Sequence, residues 1–239
     1  QYVGIPPIAL TYYGTKFDTF EYSLGWSYDS RNRALFADRG SRHRLSASYA
    51  LPFSDIDFVS FNYDYLQFIP VSKWFTLMFN SEAGYGQALG DTTSMPPYRR
   101  FFAGGPETVR GYRESRMGPK DSFGNPYGGN IKFTNQFELL LPMPAKWRNS
   151  ARFSAFFDIG NVFSQGAGVA FVGLDGVTPV DYEFDYNDLK QSAGLAVQWL
   201  APLGIFRFSY AFPLNAEKKS GVEYGDETEG FQFSIGQAF

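Results

Sequence analysis

Along most of this chain, apolar and polar side chains alternate one by one. Phe20, Tyr22, Leu24 and Trp26 interleave with Glu21, Ser23, Gly25 and Ser27; Val59, Phe61, Tyr63 and Tyr65 interleave with Ser60, Asn62 and Asp64. A period of two places each set on one face of an extended strand. Reading for that period, with Gly, Pro, Asn and Asp as boundaries, predicts about nine strands. They cover residues 20–28, 43–51, 58–65, 75–85, 131–141, 152–163, 191–200, 206–212 and 231–239. All but the shorter 206–212 segment are near the ~9 to 11 residues that a tilted strand needs to cross a bilayer. Residues 8–13 read as either a tenth strand or a loop.

What occupies the two faces decides the fold class. A soluble sandwich alternates too, but its apolar face is a core of mixed aliphatic residues. Here Phe, Tyr and Trp dominate one face, while Ser, Gly, Asn, Glu and Arg fill the other. The chain has 26 Phe and 16 Tyr, yet its mean hydropathy is slightly negative. Aromatic girdles around a polar lumen give that combination. The predicted class is all-β, an antiparallel transmembrane β-barrel. No window approaches the ~18 to 20 apolar residues of a membrane helix, which says nothing against strands.

The connections alternate in length. Pro202-Leu203-Gly204 is a tight turn, whereas residues 87–130 and 164–190 are long. Loops of that size without structure of their own are usually functional, and barrels place their long loops on the extracellular side. Net charge is −3 with no basic run, so a nucleic-acid partner has no electrostatic support. Absence of Cys excludes disulfides and thiolate chemistry. The chain begins at Gln1 without a signal-peptide apolar region, so it is expected to be processed or truncated.

The long segment 98–130 carries the most specific pattern. It contains Arg99-Arg100-Phe101-Phe102-Ala103-Gly104-Gly105, then Val109-Arg110-Gly111-Tyr112, then Met117-Gly118-Pro119-Lys120 and Asn125-Pro126-Tyr127-Gly128-Gly129-Asn130. This resembles loop six of the BamA-type outer-membrane protein assembly factors, of the bacterial surface antigen superfamily, with their Val-Arg-Gly-Phe/Tyr tetrad. Glu138-Leu139, Phe157-Asp158-Ile159-Gly160-Asn161 and the closing run Phe231-Gln232-Phe233-Ser234-Ile235-Gly236-Gln237-Ala238-Phe239 resemble that family's C-terminal half as well. The resemblance spans residues 17–239.

Alternation puts Ile131, Phe133, Phe137 and Leu139 outward in one strand and Phe153, Ala155, Phe157 and Ile159 outward in the next. Glu138 and Asp158 then both point into the barrel. An arginine on a loop folded inside can reach two carboxylates with its five donors. The resemblance implies that Arg110 anchors the loop to Glu138 and Asp158. Two other readings stay open: a solvated loop arginine, and an acid/base pair of carboxylates. No nucleophile motif or metal spacing supports the latter. Gly104-Gly105 and Gly128-Gly129 precede no helix and read as sharp turns rather than phosphate cradles. His43, the sole histidine, reads as a wall residue and Lys218-Lys219 as a solvated tip. Phe231, Phe233, Ile235, Gly236 and the terminal Phe239 look like the C-terminal strand signal of bacterial barrels.

The resemblance implies an integral protein of the Gram-negative outer membrane that folds and inserts β-barrel proteins without nucleotide hydrolysis, and no enzyme or cofactor. A seam between first and last strands would open and offer an edge to an incoming strand, while narrow girdles thin the bilayer. Its partners would be outer-membrane lipids, unfolded β-barrel clients, accessory assembly lipoproteins and periplasmic chaperones. That family's barrel has roughly 16 strands, within the range of bacterial barrels. Residues 1–239 are therefore expected to be the C-terminal part, about half, of one wider barrel domain. Loop 87–130 would fold inward, and the N-terminal periplasmic domains would lie outside this chain. The alternative function is a passive channel, or a translocator of the autotransporter-assembly or two-partner-secretion type.

Overall fold

The computed structural model describes residues 17–144, 146, 147, 150–166 and 170–236, so residues 8–13 and Phe239 lie outside the described residues. Nine strands form one antiparallel sheet: β1 (Glu21–Asp29), β2 (Gly40–Ala50), β3 (Phe58–Pro70), β4 (Thr76–Ala88), β5 (Ile131–Leu140), β6 (Ala151–Phe163), β9 (Lys190–Ala201), β10 (Gly204–Pro213) and β11 (Phe231–Gly236). Each pairs with its sequence neighbours, except that β6 pairs directly with β9. The skipped pair, β7 (Phe171–Val172) and β8 (Pro179–Val180), makes a separate small hairpin in the 164–189 connection. Such two-residue strands leave no periodic trace in the sequence. Apart from two single 3-10 turns, the described residues contain no helix.

The apolar face looks outward and stays uncovered. Leu24 is 63 % exposed and Trp26 56 %, and Tyr22, Tyr28, Phe61, Tyr85, Phe212 and Phe231 are similarly open. A water-soluble sheet would bury this face, because large contiguous apolar patches on water are unfavourable; lipid is the solvent that fits it. Rings run across the strands in register. Phe79, Phe137 and Phe157 are direct partners on β4, β5 and β6, with Phe79 and Phe137 centroids 4.9 Å apart. Such cross-strand aromatic pairs fix the register.

Short connections lie at one end (residues 30–39, 71–75, 141–150 and 202–203), and at the other 51–57 and the long 89–130, 164–189 and 214–230. Barrels of this kind place the long loops outside the cell and the short turns in the periplasm.

The opposite face is less uniformly polar than alternation suggests. Strand β3 runs five residues past the expected end at Tyr65, because Leu66 and Phe68 are apolar on the inner side and mask the period. There they join Met78, Leu140 and Ala37 in a buried cluster. Ala37 belongs to the 30–39 turn, which folds inward with Phe36 at a φ of 50°, and Arg152 on β6 holds it. Its guanidinium donates to the Ala37 carbonyl at 2.8 Å and stacks 5.0 Å from the Phe36 ring centroid. Contact between β6 and a turn beyond β2 requires the sheet to curl. Replacing Arg152 with leucine removes that hydrogen bond and a cation–π contact, together worth about 2 kcal/mol. Trypsin cleavage after Arg33 is then expected to quicken several-fold in detergent micelles, while cleavage in the 214–230 loop stays at the wild-type rate.

Candidate functional site

Loop 89–130 leaves β4 and crosses the inner face of the sheet. Its two limbs pair where Phe101 and Gly129 exchange backbone hydrogen bonds of 2.8 and 3.0 Å. A Cβ on Gly129 would sit 2.1 Å from the Phe163 carbonyl oxygen, so only glycine lets the returning limb lie against β6. Gly128 adjoins it, beneath the Phe102 ring. At the tip, Gly104 has a φ of 101°, and a Cβ there would meet the Arg113 carbonyl oxygen at 2.3 Å. Gly105 follows and donates to the Tyr112 carbonyl at 2.9 Å, which closes the tip.

Inside this tip, Val109 and Tyr112 are wholly buried and pack with Ala103, Met117 and Val162. That apolar plug seats the intervening residues. Arg110 is 4 % exposed and lies between two strands. Its Nε and Nη2 donate to the two carboxylate oxygens of Asp158, each at 2.7 Å, and its backbone N–H donates to the same carboxylate at 3.0 Å. Nη1 donates to Glu138. The other oxygen of Glu138 accepts from Ser154 Oγ at 3.0 Å. Beneath, the Phe156 ring lies 3.6 Å from the guanidinium carbon. Burial works against the charge of Arg110, but Asp158 and Glu138 outweigh it and hold the guanidinium above the usual arginine range.

The tetrad also reaches the last strand. Gln232 of β11 accepts from Gly111 N–H at 3.1 Å and donates to the Tyr112 carbonyl at 2.7 Å. Arg207 of β10 pairs with Glu107 at 2.6 Å. Gln232 and Phe156 lie on the inner face, between the outward Phe231 and Phe233 and beside the outward Phe157. Their one signal in the sequence was alternation, which gives a side of the sheet and no partner.

Above the plug, the long loops share charges. Arg113 and Arg116 pair with Glu227, and Lys190 with Asp226 and Glu217. The solvent-facing Arg113–Glu227 pair contributes little, whereas Lys190, at the start of β9, is buried where it meets Asp226. His43 lies on the outer face, its Nδ1 2.9 Å from the Tyr63 hydroxyl, among Trp26, Tyr28 and Tyr65. Among the described residues, no group of acidic, His or Cys side chains could hold a metal. Phe231, Phe233 and Ile235 face outward, and Gly236 lies opposite Ile205. Beyond its pairing with β10, β11 has no partner strand among the described residues, and β1 has none beyond β2.

The arrangement can hold a loop across the sheet and present strand edges. A sequence profile described as the Omp85 superfamily domain matches residues 6–239. The chain is 36% identical over 234 residues to the outer membrane protein assembly factor BamA of Neisseria meningitidis, covering 92% of this chain and 29% of that protein. It is 31% identical over 148 residues to the BamA of Nitratidesulfovibrio vulgaris, covering 61% of this chain and 16% of that one. The crystal structure of BamA from Haemophilus ducreyi lacking POTRA domains 1–3 superposes with a TM-score of 0.75 at 30% identity, covering 90% of this chain and 41% of that one. This chain thus spans under a third of the Neisseria protein's length. With an outward apolar face that only lipid suits, it is part of an integral β-barrel of the Gram-negative outer membrane, and the chain belongs to the Omp85 superfamily.

Proposed function

We propose that this protein folds and inserts β-barrel proteins into the bacterial outer membrane without nucleotide hydrolysis. The observation that carries the reading is the buried pairing of Arg110 with Asp158 and Glu138. It fixes a long loop across the inner face and brings the loop tip to the edge strand β11. The names of the Neisseria and Nitratidesulfovibrio relatives support it. A strand edge with free N–H and C=O groups is a template for an incoming strand, and main-chain hydrogen bonds supply the affinity. No covalent bond breaks in such a step, so the reading makes the protein no enzyme.

In this proposal, residues 1–239 are the C-terminal part of one barrel domain, with periplasmic domains toward the N-terminus of the whole protein. The partners are outer-membrane lipids, unfolded barrel clients, accessory lipoproteins and periplasmic chaperones. Phe231, Phe233, Ile235, Gly236 and Phe239 would serve as the strand signal by which this barrel is itself inserted.

Lowering expression of the gene in growing cells tests the reading. Many heat-modifiable outer-membrane barrels should fall together as their unfolded forms collect in the periplasm. Loss of a single secreted substrate would instead mark a translocator, and altered permeability alone would mark a channel.

A further inference from the structure

We infer that Gln232 is a positioning residue that clamps the edge strand β11 to the inward loop, so that the loop governs how freely this edge leaves the sheet. The inference deepens the assembly-factor reading, and its mechanistic consequence rests on it. The geometry stands independently.

Among the described residues, strand β11 pairs with β10 alone, over Phe231–Gly236. A strand held by one ladder frays more readily than one held by two. Its inward side adds a second attachment. The Gln232 side chain, 3 % exposed, reads two consecutive backbone groups of the tetrad, the Gly111 N–H and the Tyr112 C=O, much as a neighbouring strand would. A carboxamide offers an acceptor and a donor side by side at that position whatever the pH. Just before β11 the backbone itself joins in: Glu229 N–H donates to the Gly111 carbonyl at 2.9 Å, and Arg113 N–H donates to the Glu227 carbonyl at 2.8 Å. Further along, Ser234 Oγ donates to Glu107 at 3.3 Å.

The residue before this clamp is Arg110, fixed to β5 and β6. One short stretch of loop is therefore tied to the middle of the sheet and to its edge, with the Tyr112 hydroxyl also donating to the Gln191 carbonyl of β9 at 3.3 Å. Peeling β11 away means breaking the Gln232 pair of hydrogen bonds while the Arg110 anchor stays closed. The Tyr112 carbonyl would keep its bond from Gly105 N–H, but the Gly111 N–H would be left without its Gln232 partner, and that loss resists the step, so the clamp sets the resting position of the edge.

Hydrogen exchange on the whole gene product in phospholipid vesicles tests this. In Gln232→Leu, amides of Phe231–Gly236 should exchange about tenfold faster, with β5 and β6 amides unchanged. Gln232→Glu supplies a readout that mere packing would not give. A neutral carboxylic acid offers the same acceptor and donor as the amide, whereas a carboxylate would face the Tyr112 carbonyl without a proton to donate. The folded state thus raises the pKa of the introduced carboxyl. Protection of β11, referred to the intrinsic rate at each pH, should be present at about pH 5 and lost by about pH 8. Equal β11 exchange in Gln232→Leu and wild type would overturn the clamp, as would pH-independent protection in Gln232→Glu. Client insertion is read on the same vesicles: a wild-type protein that inserts no client counts against the assembly-factor reading alone, and exchange still decides the clamp.

Discussion

Replacing Arg110 with alanine is expected to destabilise the protein by about 3–5 kcal/mol and to free the tip of the inward loop. The magnitude follows from what is left behind. Asp158 is fully buried and Glu138 nearly so. Without the guanidinium, Asp158 keeps one hydrogen bond, from the residue 110 backbone N–H, and Glu138 keeps one, from Ser154. Two carboxylates would then sit in a site of low polarity with no cation between them, which exceeds the loss of any single hydrogen bond. Arg110→Lys should recover only part of the loss, since an ammonium cannot bridge both carboxylates in a planar fork or stack flat on Phe156. Urea titration in detergent, followed by the heat-modified mobility of the barrel, measures the difference. A shift below about 1 kcal/mol would place Arg110 among solvated loop arginines.

A second large effect is expected one strand away, from a residue that touches no charge. Gly194 on β9 is the direct cross-strand partner of Phe156. Having no side chain, it lets the Phe156 ring lie across β9, where the opposite ring face receives Arg110. A Cβ at residue 194 would sit 2.8 Å from that ring and 2.1 Å from the Tyr210 carbonyl oxygen. The ring could tilt, but the strand backbone has no room to shift without breaking its ladder. Gly194→Val should therefore cost about 3 kcal/mol or more, with Gly194→Ala part of the way there. The same titration reads it. An unchanged midpoint in Gly194→Val would mean that Phe156 is not the platform under Arg110.

The sheet was legible in the sequence because lipid favours one pattern along the strands: the outward residues are mostly apolar, with few exceptions such as His43 and Ser81. Tyr22, Leu24 and Trp26, or Phe133 and Phe137, could hardly be read otherwise. The pattern fails where the inner face also becomes apolar. Leu66 and Phe68 hide the end of β3 because they pack against an inward turn, and nothing in the local sequence of residues 30–39 announces that turn. Alternation likewise assigns Glu138, Ser154, Phe156, Asp158 and Gln232 to one side of the sheet. It cannot say which of them meet, because they are joined by a loop whose path depends on glycines such as Gly104 and Gly129 and on the plug around Val109 and Tyr112. Strand periodicity is local physics, whereas the site is a long-range encounter between residues 110, 138, 158 and 232.

The most direct test of the account is the folding of an unfolded barrel client into vesicles that carry the whole gene product. Without nucleotide, the wild-type protein should fold the client several-fold faster than empty vesicles do, and Arg110→Ala should fall back toward the empty-vesicle rate. Wild-type vesicles that fold the client no faster than empty ones would contradict it.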